Sequence, residues 1–487
     1  RESGLVVSQN LVVPSPRNTV SRLLVEPIPT NCGPLERDAD GTFPIAVDFY
    51  RTDLPPGIET SLVTRETDAS TLETAAVRAQ VAAGTYDIHL RPLTDLGDDT
   101  TDGPCLIPPV VLPQRVIESS DDDFEIDIQV RPPTMLNGTV VGFNATGWTV
   151  DIVENSRGLR VSTRDTIETP GERSTFAVSY YPDVLEAGSV EAIVRLQPPE
   201  NMAAAGMPLL LWNLGGLTIL DDEVTLDLSV LAEAELVTIE PQVVDPETGE
   251  GVFASVVIQS EQLLDGGIGG NAVFKAVVNT DEAGRFSAQL LPGSYVFVAQ
   301  TDRETYADAT TTFSIDATDL PGRTISLGRS QPIVGQALTA GGQPVLFSPV
   351  SLEPPPADAM TYLQRTLLVA ELQPRAEASL TDEAGNFQLA GGAGAFNLLV
   401  KPESDLPWGL LTDISVVSGT TNAPLNVTLT NPVVMGGLAL SAEGQGLAGA
   451  TIRAYVQTTG SGTLVPIGQS TADETGAYQL PLPSTLP

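Results

Sequence analysis

Short stretches in which apolar and polar residues alternate recur along the whole chain, separated by turns rich in Gly, Pro and Asp. Phe286, Ala288 and Leu290 alternate with polar neighbours, and Phe387 and Leu389 repeat the pattern about a hundred residues later. A period of two is typical of a strand with one buried face. The pattern therefore predicts an all-β protein. Two segments, 70–77 and 358–370, fit a short helix or a strand equally well.

A turn with the pattern Asp-Glu-x-Gly-x-aromatic precedes the alternating residues and occurs three times. The acidic pair suits the first positions of a hairpin turn, and the glycine can take the positive φ needed before the next strand. Recurrence at domain length predicts a string of similar modules. The three turn glycines, predicted to be structural, are Gly284, Gly385 and Gly476.

Two further elements recur around this turn. A Gly-x-Tyr or Gly-x-Phe strand lies at 84–90, 292–297 and 394–400, and an opening strand with Gly before small and apolar residues lies at 137–141, 334–338 and 437–440, with a variant at 243–249. In this order the elements resemble the carboxypeptidase regulatory-like domain, a transthyretin-like antiparallel β-sandwich of about seven strands. The resemblance implies a structural module of bacterial envelope or secreted proteins, used as a spacer, adhesive stalk or assembly domain. It implies no peptidase activity.

The resemblance divides the chain into five modules, since 487 residues are too many for one core. It is best over the last three modules, and over the first it depends on 84–90. The predicted units are an N-terminal strand or linker at 1–19, module 1 at 20–128, module 2 at 129–235, module 3 at 236–328, module 4 at 329–430 and an incomplete module 5 at 431–487.

The two ends of the sequence suggest how copies could assemble. Module 5 reaches its turn but lacks the strands that should follow, which predicts an open sheet edge. The N-terminal segment 4–13 is apolar enough to form a strand and has no predicted partner. We expect it to complete module 5 of another copy, giving a head-to-tail filament by strand addition. The alternative is that the sequence is a piece of a longer protein whose next strands finish the module.

The chain is strongly acidic, with 62 Asp and Glu against 24 Lys and Arg and a net charge of −38. Such a surface repels phosphate backbones, which argues against nucleic-acid binding. The charge is explained either by solubility or by calcium sites, because aspartate oxygens are ligands that calcium prefers. No calcium-binding motif has the right spacing. The candidate ligands are Asp98, Asp99, Asp121, Asp122 and Asp123.

Cys32 and Cys105 are the two cysteines, and both fall in module 1. They predict one disulfide, as expected in an oxidising compartment; the alternative is two free thiols in a cytosolic protein. The sequence begins at Arg1 without a recognisable signal peptide, so one could already be removed. We expect an extracellular, cell-surface or periplasmic protein.

Catalysis is not predicted. His89 is the sole histidine, which excludes histidine-based zinc sites and any Ser-His-Asp triad built on another histidine. Strand alternation places it on a face with Asp87 and Arg91, predicted to be solvated. Paired carboxylates among the many acids stay possible, but no pair stands apart from the turns.

Lys275 and Lys401, the only lysines, allow at most a local isopeptide crosslink.

Two functions fit the sequence. The first is a rod of modules that spaces or assembles surface components, with proteins or further copies as partners at its sheet edges. The second is a glycan-binding segment of a larger secreted enzyme, which needs an exposed aromatic residue. Trp408, in a loop, is the candidate, whereas Trp148 alternates with core residues. Trp212 lies in the uncharged run 201–220, predicted to form two buried strands around a turn rather than a membrane helix.

Overall fold

The protein is built almost entirely from β-strands. The computed structural model describes residues 6–14, 16–25, 45–54, 63–66, 77–92, 108–118, 124–130, 133–181, 191–216, 223–264, 270–301, 305–316, 322–329, 332–355, 360–368, 377–390, 394–403, 405–416, 423–457 and 464–485. In these ranges strands predominate and the helices are short, which confirms the all-β class. Five buried apolar cores each draw their residues mainly from one of the five predicted modules.

Module 1 follows two short N-terminal strands and packs a three-stranded sheet, β6-β3-β9, against a four-stranded sheet, β5-β4-β7-β8. Alternating burial along β6, where each second residue is exposed, shows why this sequence forms a strand with one face on the core. The strands are β1 (Val6–Ser8), β2 (Leu11–Val12), β3 (Arg17–Val25), β4 (Ile45–Arg51), β5 (Val63–Glu66), β6 (Val77–Val81), β7 (Gly84–Pro92), β8 (Val110–Ile117) and β9 (Phe124–Val130).

Module 2 repeats this plan, with sheet β13-β10-β16 facing sheet β12-β11-β14-β15. Trp148 is fully buried in its core, as the alternation predicted. Its elements are β10 (Thr134–Val141), β11 (Thr149–Glu154), β12 (Asp165–Thr166), β13 (Arg173–Tyr180), β14 (Glu191–Gln197), α1 (Glu200–Ala204), β15 (Leu209–Gly216), β16 (Glu223–Asp227) and α2 (Ser229–Glu233). The prediction of two strands in 201–220 was wrong in its first half, where α1 forms.

Module 3 has one four-stranded sheet, β21-β19-β23-β25, and smaller pairs β17-β22, β18-β26 and β24-β27. Strand β20 leaves this module and pairs with β15 of module 2. The strands are β17 (Val237–Ile239), β18 (Gln242–Val244), β19 (Ser255–Leu263), β20 (Asn271–Val273), β21 (Lys275–Asn279), β22 (Ala288–Leu290), β23 (Gly293–Gln300), β24 (Tyr306–Ala307), β25 (Ala309–Ile315), β26 (Thr324–Ser326) and β27 (Gly328–Arg329).

Module 4 returns to the plan of module 1, with sheet β31-β28-β34 facing sheet β30-β29-β32-β33; module 5 contains β35 paired with β38, and a hairpin, β36-β37. The elements are β28 (Pro332–Thr339), β29 (Pro349–Glu353), α3 (Tyr362–Leu367), β30 (Glu377–Leu380), β31 (Asn386–Ala390), β32 (Gly394–Val400), β33 (Gly409–Val416), β34 (Leu425–Leu429), β35 (Pro432–Leu440), β36 (Thr451–Gln457), β37 (Leu464–Thr471) and β38 (Ala477–Pro483). Helix α3, which begins with a capping box at Thr361, resolves the ambiguity in 358–370.

The repeated acidic turn joins the two sheets of a module and is not a hairpin within one sheet. In module 4 it connects β30 in the four-stranded sheet to β31 in the three-stranded sheet, and in module 5 it connects β37 to β38 in the same way. The hairpin interpretation was therefore wrong in topology. The local turn residues resemble those of a hairpin because both turns reverse the chain tightly.

The predicted solvated face of His89 is instead buried against module 2. His89 is 4% exposed, and its Nε2 lies 3.0 Å from the carbonyl oxygen of Arg160. Asp87 on the same strand accepts a hydrogen bond of 2.9 Å from Arg157. Alternation correctly separated these residues from the core of module 1, but a neighbouring module covers them.

Modules that are not adjacent in sequence also touch. Helix α3 of module 4 packs on the sheet of module 2, where Leu363 N donates to Asn155 Oδ1 at 2.9 Å. Tyr362 lies against Val153, Ile193 and Leu211 of that sheet. The chain therefore folds back on itself, which differs from the extended rod expected of tandem modules.

Candidate assembly site

The N-terminal segment forms a parallel strand on β35 of module 5. Val6, Val7 and Ser8 pair with Val434, Met435 and Gly436, and after a two-residue break Leu11 and Val12 pair with Ala439 and Leu440. Backbone hydrogen bonds extend the pairing, from Gln9 N in the break to Gly436 O at 2.9 Å and from Val13 N after β2 to Leu440 O at 2.8 Å. The first strand of the chain thus completes a sheet of the last module.

This pairing occupies the position that a module's own last strand takes elsewhere. In modules 1, 2 and 4 the opening strand pairs in parallel with the last strand of the same module, as β3 with β9, β10 with β16 and β28 with β34. In module 3 the opening strand of the repeated pattern, β18, pairs in parallel with β26, a late strand of that module. In module 5 the opening strand β35 pairs in parallel with β1 and β2. We therefore call the surface beside β35 the strand groove of module 5.

Two glycines show that the correspondence extends to single residues. A Cβ on Gly335 of module 4 would overlap the carbonyl oxygen of Leu425, the first residue of β34. A Cβ on Gly437 of module 5 would overlap the carbonyl oxygen of Gln9. Glycine is needed at both positions because another backbone approaches closely there.

The side chain of Leu11 enters the core of module 5. It packs with Ala439 and Tyr478, among others, in the smallest of the five module cores. Its counterpart in module 4 is Val427, which pairs with Ala337 and is buried in the core of that module. The N-terminal strand thus contributes both backbone hydrogen bonds and apolar contact to module 5.

The three turn glycines have the same geometry in modules 3, 4 and 5. Their φ angles are +74° at Gly284, +77° at Gly385 and +82° at Gly476, a region that favours glycine. Each glycine carbonyl accepts a hydrogen bond from the opening strand, at 2.7, 2.8 and 2.7 Å, from Val243, Ala337 and Ala439 respectively. A Cβ at each position would press on the carbonyl of that same opening-strand residue.

The acidic residue of the turn stabilises it from within. Asp382 Oδ1 accepts hydrogen bonds of 2.8 Å from the backbone N–H groups of Ala384 and Asn386. Asp281 and Asp473 make the equivalent pairs. Hydrogen bonds from Asn386 lower the pKa of Asp382, and those from Thr475 lower the pKa of Asp473. These acids therefore have a structural role.

A cleft of about 270 Å³ lies between modules 4 and 5, and Trp408 lines it. The indole is half-buried, and Lys401 Nζ lies 5.4 Å from its ring centre. Lys401 also pairs with Glu353 at 2.7 Å. Asn397 lines the same cleft and is 6% exposed.

Sequence reasoning found Trp408 but missed Asn397 and Tyr455, which line the same cleft. Asn397 stands in a strand of otherwise apolar residues, and a buried polar residue in such a run is a signal that could have identified it. Tyr455 belongs to the next module, so no local pattern connects it to Trp408.

The remaining predicted sites fall outside the described residues. This applies to Cys32 and Cys105 and to all five calcium candidates, Asp98, Asp99, Asp121, Asp122 and Asp123. Among the residues that are described, no group of three or more His, Cys, Asp or Glu could hold a metal ion. The described helices include none that is long and apolar enough to cross a membrane.

Comparisons with known proteins give weak structural similarities. No protein-family model and no curated protein matches the chain. A streptococcal ancillary pilin is 10% identical with a TM-score of 0.24, covering 61% of this chain and 99% of the pilin. The shaft pilin SpaA of Lactobacillus rhamnosus GG is 8% identical with a TM-score of 0.21, covering 40% and 98%. The minor pilin of Streptococcus agalactiae is 12% identical with a TM-score of 0.23, covering 39% and 95%. Values this low assign neither a family nor a function.

Proposed function

We propose that the chain is a non-catalytic structural protein of the cell surface or extracellular space, which positions or assembles other components through its β-sandwich modules. The observation that carries the proposal is the strand groove of module 5, completed by a segment from the opposite end of the chain. A fold alone does not determine function, so the proposal depends on this site. Self-association through sheet edges is the mode of assembly it favours.

Buried ion pairs within and between modules support a structural role. Asp151 of module 2 accepts hydrogen bonds from Arg195 at 2.8 and 2.7 Å and lies 3.3 Å from Arg164, at 3% side-chain exposure. Asp87 of module 1 pairs with Arg157 of module 2. Charged groups that are buried in such pairs fix the geometry of packed elements, because leaving one partner unpaired is costly.

The environment of His89 supports a non-catalytic protein. Burial lowers the pKa of His89 from 6.5 to about 4, an effect that the Arg160 carbonyl and Asp48 partly oppose. The imidazole lies between two modules and its Nε2 hydrogen-bonds to a backbone carbonyl. A base in this position serves packing, since it is 4% exposed and lies between two modules.

Labelling of intact cells tests the proposal. Antibodies raised against the purified chain should bind cells of the source organism without permeabilisation, and protease added to intact cells should remove the signal. Labelling that requires permeabilised cells and survives external protease would contradict a surface location. Deleting the coding region should reduce cell–cell or cell–surface attachment without abolishing a metabolic activity.

A carbohydrate-binding role is a second candidate, and the cleft lined by Trp408 and Asn397 is the observation that favours it. The side chain of Asn397 is 6% exposed and lines the cleft beside Trp408. Here it shares a cleft with an indole and a Lys–Glu pair, and sugars bind through an aromatic face combined with polar hydrogen-bonding groups. The cleft therefore suits a small saccharide unit.

A glycan array distinguishes this role from the structural one. A specific signal should disappear in Trp408→Ala and in Asn397→Ala. Phe253→Ala is the matched control, because Phe253 is 63% exposed in module 3 and far from the cleft in sequence. A blank array, or a signal that survives both cleft substitutions, would leave the cleft without a role in glycan binding.

A further inference from the structure

We infer that the strand groove of module 5 accepts the N-terminal strand of a second copy of this chain, so that copies are linked by strand exchange. The inference depends on the proposed assembly role and specifies its mechanism. The occupant is residues 6–13, which in this structure lie on module 5 of their own chain.

The N-terminal strand belongs to the groove and not to module 1, which follows it in sequence. Its contacts are with β35, with Tyr478 and with the small core of module 5. Module 1 begins only at β3, whose parallel partner is β9. The N-terminal strand can therefore separate from module 1, its neighbour in sequence, without loss of these contacts.

The connection between β2 and β3 also favours exchange between copies. Val12 and Arg17 are joined by a short segment containing Pro14 and Pro16. Five Cα steps of about 3.8 Å span at most about 18 Å, so an in-chain arrangement holds the start of module 1 close to module 5. A proline-containing connection is semi-rigid and extended. When the strand is donated, the same segment holds module 1 of the donor close to module 5 of the acceptor. Modules 1 and 5 of one copy are then free of this distance constraint.

Exchange between copies costs little free energy. The groove and the strand are identical in every copy, so exchange between copies preserves each hydrogen bond and each core contact that the strand makes. Only the entropy of association opposes it, and this cost falls as the protein concentration rises. Exchange of an identical element is a low-cost route to oligomers.

The geometry of the link determines the form of the assembly. The donor segment and the acceptor groove are different surfaces at opposite ends of the sequence, so the contact is head-to-tail. A head-to-tail contact produces a ring if its rotation closes and a filament if it does not. Both forms are oligomers that disappear when the strand is removed.

Two neighbouring glycines provide a matched test in the full chain. A Cβ at Gly437 would overlap the Gln9 carbonyl, whereas a Cβ at Gly436 has its nearest neighbour at 3.4 Å. Gly437→Ala should therefore expel the strand, and Gly436→Ala should leave it in place. Both substitutions replace Gly by Ala on the same strand. If such a substitution only destabilised module 5 in general, the two variants would behave alike.

The measurement is light scattering over a concentration series, before and after refolding at high protein concentration. The unmodified chain and Gly436→Ala should form dimers and larger species, and chains labelled with a donor or acceptor dye should exchange into mixed oligomers. Gly437→Ala should need at least about tenfold more protein to associate. Deletion of residues 1–13 should abolish association, and a fluorescent peptide of residues 6–13 should bind the shortened chain.

Three results would overturn the inference. A chain that stays monomeric throughout keeps its strand on its own module. Oligomers that persist in both the deletion and Gly437→Ala form through another surface. Failure of the peptide to bind, together with equal behaviour of Gly436→Ala and Gly437→Ala, means that the groove is filled by something else, such as a later segment of a longer protein. Surface labelling of cells is independent of all three, so the proposed location is tested separately.

Discussion

The hydroxyl of Tyr478 donates a hydrogen bond of 2.7 Å to the backbone carbonyl of Gln9, across a separation of 469 residues. Tyr478 is the aromatic residue of the third acidic turn. The same position holds Phe286 in module 3 and Phe387 in module 4, which have no hydroxyl and whose modules pair the opening strand with a later strand of their own. The tyrosine thus occurs in the module that is completed by the N-terminal strand.

Replacing Tyr478 with Phe should weaken the docking of the N-terminal strand by about 1 kcal/mol, or roughly fivefold in peptide affinity, because one hydrogen bond to a partly buried carbonyl is lost. Titration of the 6–13 peptide into the chain lacking residues 1–13 measures the change. Tyr295→Phe removes an equivalent hydroxyl bond, to Leu291 in module 3, and should leave the titration unaltered. Equal effects of the two substitutions would contradict a specific role for Tyr478.

Replacing a turn glycine by Val should destabilise its module. At Gly284, Gly385 or Gly476 a β-branched side chain meets positive φ and the carbonyl of the opening strand, so we expect a loss of about 1–2 kcal/mol or more in unfolding free energy. Glu282→Ala in the same turn should cost less than about 0.5 kcal/mol, since Glu282 is exposed. Chemical denaturation followed module by module gives both values. Similar losses at Gly284 and Glu282 would argue against the turn geometry.

Much of the local structure was predictable because short-range chemistry determines it. Strands β7, β23 and β32 begin at the glycines that the pattern identified, and helix α3 starts at a capping box. The alternation of apolar and polar residues does not show which surface, solvent or another module, lies against the polar face of a strand. His89 and Asp87 point away from their own core as predicted, yet module 2 covers them.

The strand groove was predictable only in part. The apolar segment 4–13 and the missing strands of module 5 were both visible in the sequence, and their pairing was expected between copies. The structure shows the pairing within one chain. A sequence pattern specifies that a strand needs a partner but carries no information on which copy supplies it, because identical copies offer identical edges.

His89 should make modules 1 and 2 less stable in mild acid. Its folded pKa of about 4 lies below its ordinary value of 6.5. Between these values the unfolded chain binds the proton more readily, so stability falls as the pH drops from about 6.5 to about 4, by at most about 3 kcal/mol. Asp48 lies 3.8 Å from the imidazole and is itself paired with Arg91 at 3.0 Å.

His89→Gln should reduce this dependence, because glutamine can donate to the Arg160 carbonyl without titrating. Melting curves of the two proteins at pH 7 and pH 4.5 provide the comparison. Both proteins have the same carboxylates, so the effect of these groups on stability cancels in the difference. Parallel losses of stability in the unmodified chain and in His89→Gln would show that the histidine does not contribute.

Cys32 and Cys105 should form a disulfide under native conditions. The segment containing Cys32 leads into Ile45 and the segment containing Cys105 follows Pro92, and these two strand ends pair with each other. We predict the bond because both cysteines fall in module 1 and the sequence is typical of a secreted protein. Intact mass after alkylation without reductant should show no added label; two labels would mean free thiols.

The parallel direction of the N-terminal strand on β35 has a mechanical consequence for exchanged copies. Tension on the donor chain acts at the end near Val13, whereas tension on the acceptor acts at Pro432, the opposite end of the paired strands. The load is then a shear along the strands, shared by all the hydrogen bonds at once, rather than a peeling force that opens them one by one. A linkage of this kind should resist pulling far better than its small contact area would indicate.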